Sequence, residues 1–136
     1  MTVDQPFLEY RISDNKALLQ LDDIYSLLQT SYWAEHRSKE LIAQSLEASL
    51  CVGVYHGSTQ VGFLRAVTDG ATFSWICDVI VHPEHRGKGI GKRMMQYIVD
   101  HPQVRRTSML LGTRDAHGLY EQYGFIRREM MIRRPK

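Results

Sequence analysis

The densest chemical signal in the chain is a basic, glycine-rich turn, Val79-Ile80-Val81-His82-Pro83-Glu84-His85-Arg86-Gly87-Lys88-Gly89-Ile90-Gly91-Lys92-Arg93, in which a β-type run passes directly into a helical pattern. A helix start leaves backbone N–H groups unpaired and carries the positive end of the helix dipole, and glycines let a phosphate come close to that backbone. Arg86, Lys88, Lys92 and Arg93 add positive charge around the same turn. Together these residues read as a pyrophosphate cradle and imply a phosphorylated cofactor; the plain alternative for the glycines is a tight structural turn. Two common cradles are excluded by spelling. Glycines at 87, 89 and 91 do not give G-x-G-x-x-G, and a P-loop would need glycine at 86 and Ser or Thr at 93, where the chain has Arg86 and Arg93.

The elements around the turn follow from periodicity. Phe7 to Ile12 predicts an opening strand, and Ser13-Asp14-Asn15 offers helix N-caps. Leu18, Leu21, Ile24, Tyr25 and Leu28 then predict a helix over 16–30, and Ser38 caps a second helix carrying Leu41, Ile42 and Leu46. Between them lies Ser31-Tyr32-Trp33-Ala34-Glu35-His36-Arg37. Leu50–Tyr55 and Val61–Val67 read as strands of a hairpin, and Asp69-Gly70 turns into a third antiparallel strand over 72–81. After the glycine turn, Ile90, Met94, Tyr97 and Ile98 give an amphipathic helix stopped by His101-Pro102. A strand over 107–112 implies a right-handed crossover and parallel pairing. A short helix over 115–122 and a terminal strand over 129–133 complete a mixed-sheet α+β (α/β three-layer) architecture.

The chain's 136 residues suit one domain over 1–136. Its formal charge of +2, with no basic stripe interleaved with aromatics, gives no support to nucleic-acid binding. No apolar run reaches membrane-spanning length and no secretory leader is visible, so a cytoplasmic protein with no membrane association is expected. Cys51 and Cys77 sit in apolar runs and read as reduced, buried thiols. His82 and His85 flank Glu84, but without further ligands no metal site is expected. The pairs Arg105-Arg106, Arg127-Arg128 and Arg133-Arg134 read as solvated charge, with one pair a candidate for a cofactor phosphate.

Arg86-Gly87-Lys88-Gly89-Ile90-Gly91 meets the pattern Arg-x-x-Gly-x-Gly, preceded by a strand with Val79 and Val81 and followed by an amphipathic helix. It resembles the acyl-CoA signature of the GNAT superfamily of N-acetyltransferases. Asp115-Ala116-His117-Gly118-Leu119-Tyr120-Glu121-Gln122-Tyr123-Gly124-Phe125 is similar to that family's late helix, so the resemblance covers nearly the whole chain. One departure is Thr113, where many relatives carry asparagine beside the pantetheine arm.

The resemblance implies a GNAT-like acyl-CoA N-acyltransferase fold with a mixed, mostly antiparallel sheet flanked by helices. It further implies acetyl-CoA as cofactor, and direct transfer of the acetyl group to a primary amine. The pantetheine would lie beside Val79, Ile80 and Val81, with the Val79 N–H polarising the thioester carbonyl, and the loop Arg86, Gly87, Lys88, Gly89, Ile90, Gly91 and Lys92 would hold the pyrophosphate. Deprotonating an alkylamine at neutral pH costs about 4.6 kcal/mol, so a base or a water relay is expected. Asp78 is the first candidate and Glu35 the second; Asp78 could instead anchor a loop or bind the acceptor's cation. Tyr120 matches the family's acid, which protonates the departing thiolate, with Tyr123 as substitute or packing residue. Tyr32, Trp33, Glu35, Trp75 and Phe73 would line the acceptor pocket, suiting an amine on an apolar or aromatic group. The expected acceptor is a small-molecule amine met by a monomer or homodimer. A protein N-acetyltransferase and a catalytically silent acyl-CoA sensor are the competing readings.

Overall fold

In a computed structural model describing residues 2–135, the strands β1 (Asp4–Phe7), β2 (Tyr10–Ser13), β3 (Leu50–His56), β4 (Thr59–Thr68), β5 (Phe73–Val81) and β6 (Ser108–Leu110) form one sheet in sequence order. Every pair is antiparallel except β5 and β6, which run parallel across the crossover. The helices are α1 (Leu21–Gln29), α2 (Lys39–Glu47), α3 (Ile90–Asp100) and α4 (His117–Glu121). Alternation along the strands divides the core in two. Val52, Val54, Leu64 and Ile76 pack under α3 with Ile90, Met94 and Ile98, whereas Cys51, Phe63 and Ile80 pack under α1 and α2 with Ile24, Leu28 and Ile42.

Three expected elements differ. The opening strand over 7–12 is a hairpin, because Leu8 takes a left-handed φ of 55° and reverses the chain between β1 and β2. The first helix begins at Leu21 rather than at 16. Asn15 caps only a short 3-10 turn at Lys16–Leu18, and then Gln20 exchanges hydrogen bonds with buried Gln60 of β4, its N–H donating to Gln60 Oε1 at 2.9 Å, which holds the chain extended. Residues 126–135 form no strand. Met130, Ile132 and Arg134 do face one side and Met131 the other, but β6 pairs only at Ser108–Leu110 and no ladder forms on its outer edge among the described residues. Ser38 caps α2 as expected, its Oγ accepting from the Leu41 N–H at 3.1 Å.

The feature that shapes the site lies within β5. Phe63 of β4 faces Ile80 and Arg65 faces Cys77, so Leu64 alone stands opposite both Asp78 and Val79. This is a β-bulge, and Asp78 adopts φ 57° to make it. The extra residue reverses the facing of the strand. Ile76 belongs to the α3 side and Ile80 to the α1/α2 side, although four residues apart they would otherwise share a face. Beyond Trp75 and Leu110 the parallel strands are no longer paired, and a gap opens between them.

Candidate active site

The gap is a cleft of about 720 Å³. Its floor is Trp75, Cys77, Asp78 and Val79 of β5, with Leu111–Ala116 and Tyr120 on one side and Tyr32, Trp33 and Arg37 of the α1–α2 connection on the other. Of the residues expected there, Tyr32, Trp33, Trp75, Asp78, Val79 and Tyr120 are brought together; Glu35 lies outside against His36 (3.6 Å), and Phe73 is exposed at the start of β5.

Asp78 is not a free carboxylate. Its side chain is 1% exposed; Oδ2 accepts from Arg37 Nη1 at 2.8 Å and Arg65 Nε at 2.9 Å, and Oδ1 accepts from the Trp33 indole at 3.1 Å. Both oxygens are engaged by donors, two of them charged, which suits an anchor better than a proton acceptor. The anchor ties the α1–α2 connection to the bulge. The chain of contacts continues outward, since the Trp33 ring meets Tyr32 edge-on at 5.1 Å and the Arg114 guanidinium stacks on Tyr32 at 3.8 Å.

Tyr120 is half-buried, packed edge-on against Phe125 (6.2 Å). Burial pushes its phenol above the ordinary range, helped by Tyr32 and Asp115, so at neutral pH it holds its proton. Tyr123 is committed elsewhere, its hydroxyl donating to the Lys92 carbonyl at 2.9 Å. Cys77 reaches the cleft, but burial pushes its thiol up to about 11, and Cys51 likewise, so neither supplies a thiolate nucleophile near neutral pH.

Next to the cleft, β5 leads through a 3-10 turn at Pro83–His85 into the glycine turn. Gly87 and Gly89 take φ 80° and 84°, which only glycine adopts without strain, and Gly89 caps α3 with no side chain to offer. The first N–H groups of α3, from Ile90, Gly91 and Lys92, are therefore left for a ligand. A Cβ on Gly87 or Gly91 would meet nothing within 4 Å, so the ground before the helix is open and fits a phosphate. Three of the basic side chains are engaged elsewhere. Arg86 Nε donates to the Val81 carbonyl at 3.0 Å, Lys88 lies 3.6 Å from Glu9, and Arg93 stacks over Phe7 at 5.6 Å. What the turn offers a phosphate is therefore chiefly backbone. His82 caps its own turn by accepting from the Glu84 N–H, and His85 is hydrogen-bonded to the Tyr10 hydroxyl at 2.8 Å.

Sequence reasoning missed Arg37 and Arg65 as partners of Asp78, and Asp115, Arg114, Met130, Ile132 and Arg134 as cleft residues. The alternation of Met130, Ile132 and Arg134 was the available signal for the last three: they line the cleft while Met131 is 96% exposed.

A mixed sheet whose two parallel strands part beside a backbone phosphate cradle is the architecture of acyl-CoA N-acyltransferases. Residues 47–127 match the family model described as the acetyltransferase (GNAT) domain. A candidate acetyltransferase of Gibberella zeae is 34% identical over 133 residues, covering 80% of this chain and 75% of that protein. The crystal structure of a candidate GNAT-family acetyltransferase from Xanthomonas campestris pv. campestris superposes with a TM-score of 0.87 at 35% identity, covering 96% of this chain and 95% of the other. An aminoglycoside 6'-N-acetyltransferase complexed with coenzyme A shares the fold at 22% identity and a TM-score of 0.64, covering 75% of this chain and 61% of its own. The chain belongs to the GNAT family of acetyltransferases, whose donor is acetyl-CoA.

Proposed function

We propose that the protein moves the acetyl group of acetyl-CoA directly to a primary amine of a small molecule. The observation that carries this reading is the cleft of about 720 Å³, of the size that encloses small ligands and lined by Tyr32, Trp33 and Trp75, which suit an amine borne on an apolar or aromatic group. Acetyl-CoA supplies an activated acetyl thioester. The glycine turn and the start of α3 hold its phosphates through backbone N–H groups, and the backbone of Val79, Ile80 and Val81 lines the pantetheine, with the Val79 N–H polarising the thioester carbonyl. Tyr120 keeps a proton at its phenol oxygen for the departing sulfur. Asp78 positions rather than abstracts. Asp115, a cleft carboxylate with no ion-pair partner among the described residues, takes the amine's proton. The same reading places the enzyme in the cytoplasm as a monomer or homodimer.

Calorimetric titration with acetyl-CoA, followed by thiol release against small amines and peptides, tests the proposal. Binding with release driven by small amines is expected; release driven only by peptides would move the acceptor to proteins, and binding without release to any amine would leave an acyl-CoA sensor.

The cradle has its own test. Gly91→Val is the informative substitution, because Gly91 has no positive φ and open space before it, whereas a side chain at Gly89 would strain the turn itself. The added isopropyl group fills the phosphate's ground. The KM for acetyl-CoA should rise roughly tenfold or more while the thermal midpoint stays within a few degrees of wild type, read by steady-state kinetics and calorimetry.

A further inference from the structure

The charges around the cleft do not balance. Arg37 and Arg65 together face the single carboxylate of Asp78, which leaves that cluster one positive charge in excess. Arg114 and Arg134 line the same cleft, and among the described residues neither has a carboxylate within ion-pair distance. Asp115 is the acid that opposes them. Arg114 is exposed and rests over the Tyr32 ring at 3.8 Å, against the α1–α2 connection, with its N–H groups accessible to an anion. Arg134 reaches the cleft from the extended segment that also presents Met130 and Ile132.

A simple monocationic amine is poorly served by such a site. An excess of fixed positive charge repels the ammonium form and gives it nothing to pair with except Asp115. We infer that the acceptor is a small amine that also carries an anionic group, a carboxylate or a phosphate, held by Arg114 and Arg134 at the cleft mouth while its amino end lies toward Asp115 and Tyr120. This rests on the acetyl-transfer reading above and names the substrate class for it. The surplus charge then serves the chemistry as well as recognition. Cations beside an amine favour its neutral form, which is the form that attacks. In the balanced step the ammonium first loses a proton to Asp115 and thence to water; the nitrogen–carbon bond to the acetyl group forms, the carbon–sulfur bond breaks, the departing sulfur takes the proton held by Tyr120, and the second proton of the acylated nitrogen returns through water to the Tyr120 phenolate, leaving a neutral amide, a thiol and the restored phenol.

The test uses matched pairs of amines with acetyl-CoA in the wild-type protein: ethanolamine against its phosphate ester, phenethylamine against phenylalanine, and glucosamine against its 6-phosphate, with thiol release as readout. A charge-assisted contact of this kind corresponds to a preference in kcat/KM of roughly ten- to a hundredfold for the anionic member. The phosphate and carboxylate pairs separate the two sources of the charge. In Arg114→Gln and Arg134→Gln the preference should fall toward unity through a raised KM for the anionic amine, with the KM for acetyl-CoA little changed. Equal rates for neutral and anionic members, with thiol release otherwise intact, would overturn the inference alone. A raised KM for acetyl-CoA in the arginine variants, without loss of the preference, would also overturn it by assigning those residues to the donor. No thiol release from any amine would overturn acetyl transfer itself, and this inference with it.

Discussion

Tyr120→Phe is expected to lower kcat by roughly a hundred- to ten-thousandfold, the span that a positioned proton donor contributes, while the KM for acetyl-CoA stays within about twofold. The ring's packing against Phe125 survives the change, so loss of the hydroxyl is isolated from loss of shape. Because burial raises the phenol above its ordinary value of 10.0, the wild-type rate should hold into alkaline solution and fall only above that value as the proton is lost. The variant should lack this alkaline limb. Tyr123→Phe is the control, since the Tyr123 hydroxyl serves the Lys92 carbonyl and its removal should leave kcat near wild type. An unchanged rate in Tyr120→Phe would remove the acid role.

Asp78→Ala is expected to destabilise the fold by about 3 kcal/mol, read from urea unfolding midpoints at unchanged slope. The cause is the pair of guanidinium groups left facing each other: Arg65 keeps only 14% side-chain exposure, while Arg37 at 28% recovers part of its hydration and holds the loss to the lower end of the range for a broken buried ion pair. Asp78→Asn separates charge from geometry, because asparagine also tolerates φ 57° and can still accept from the Trp33 indole. It should be less destabilising than the alanine variant, raise the KM for the amine through a loosened α1–α2 connection, and leave the acidic limb of the rate profile in place. Loss of that limb in Asp78→Asn would restore Asp78 as the base.

The glycine turn, α3, the capped α2 and the antiparallel strands were all legible, because each is written locally: positive-φ glycines at 87 and 89, apolar residues at helical spacing from Ile90 to Ile98, and Ser38 before a periodic run. What escaped was set by distance along the chain. Asp78 looked like a solitary acid because its partners arrive from Arg37, 41 residues away, and Arg65, 13 away. The bulge carries no glycine to mark it, since aspartate is among the few side chains that accept the left-handed region. The tail shows the converse. Alternation over 129–133 reported truthfully which side chains face the cleft, yet a strand needs a hydrogen-bonding neighbour, and three paired residues of β6 do not extend far enough to provide one.

The bulge also divides β5 by what each half can afford to change. Before Asp78, Trp75 and Cys77 present side chains to the cleft, so substitutions there alter its lining. After it, Val79 and Val81 send their side chains into the α3 core, so under the proposed reading donor recognition there would fall to main-chain groups and be nearly indifferent to side-chain identity. On the proposed assignment, a lineage carrying this chain would diverge toward new amines by point mutation upstream of Asp78 while inheriting acetyl-CoA recognition intact downstream. Loss or gain of a single residue within the strand would instead rephase both halves at once.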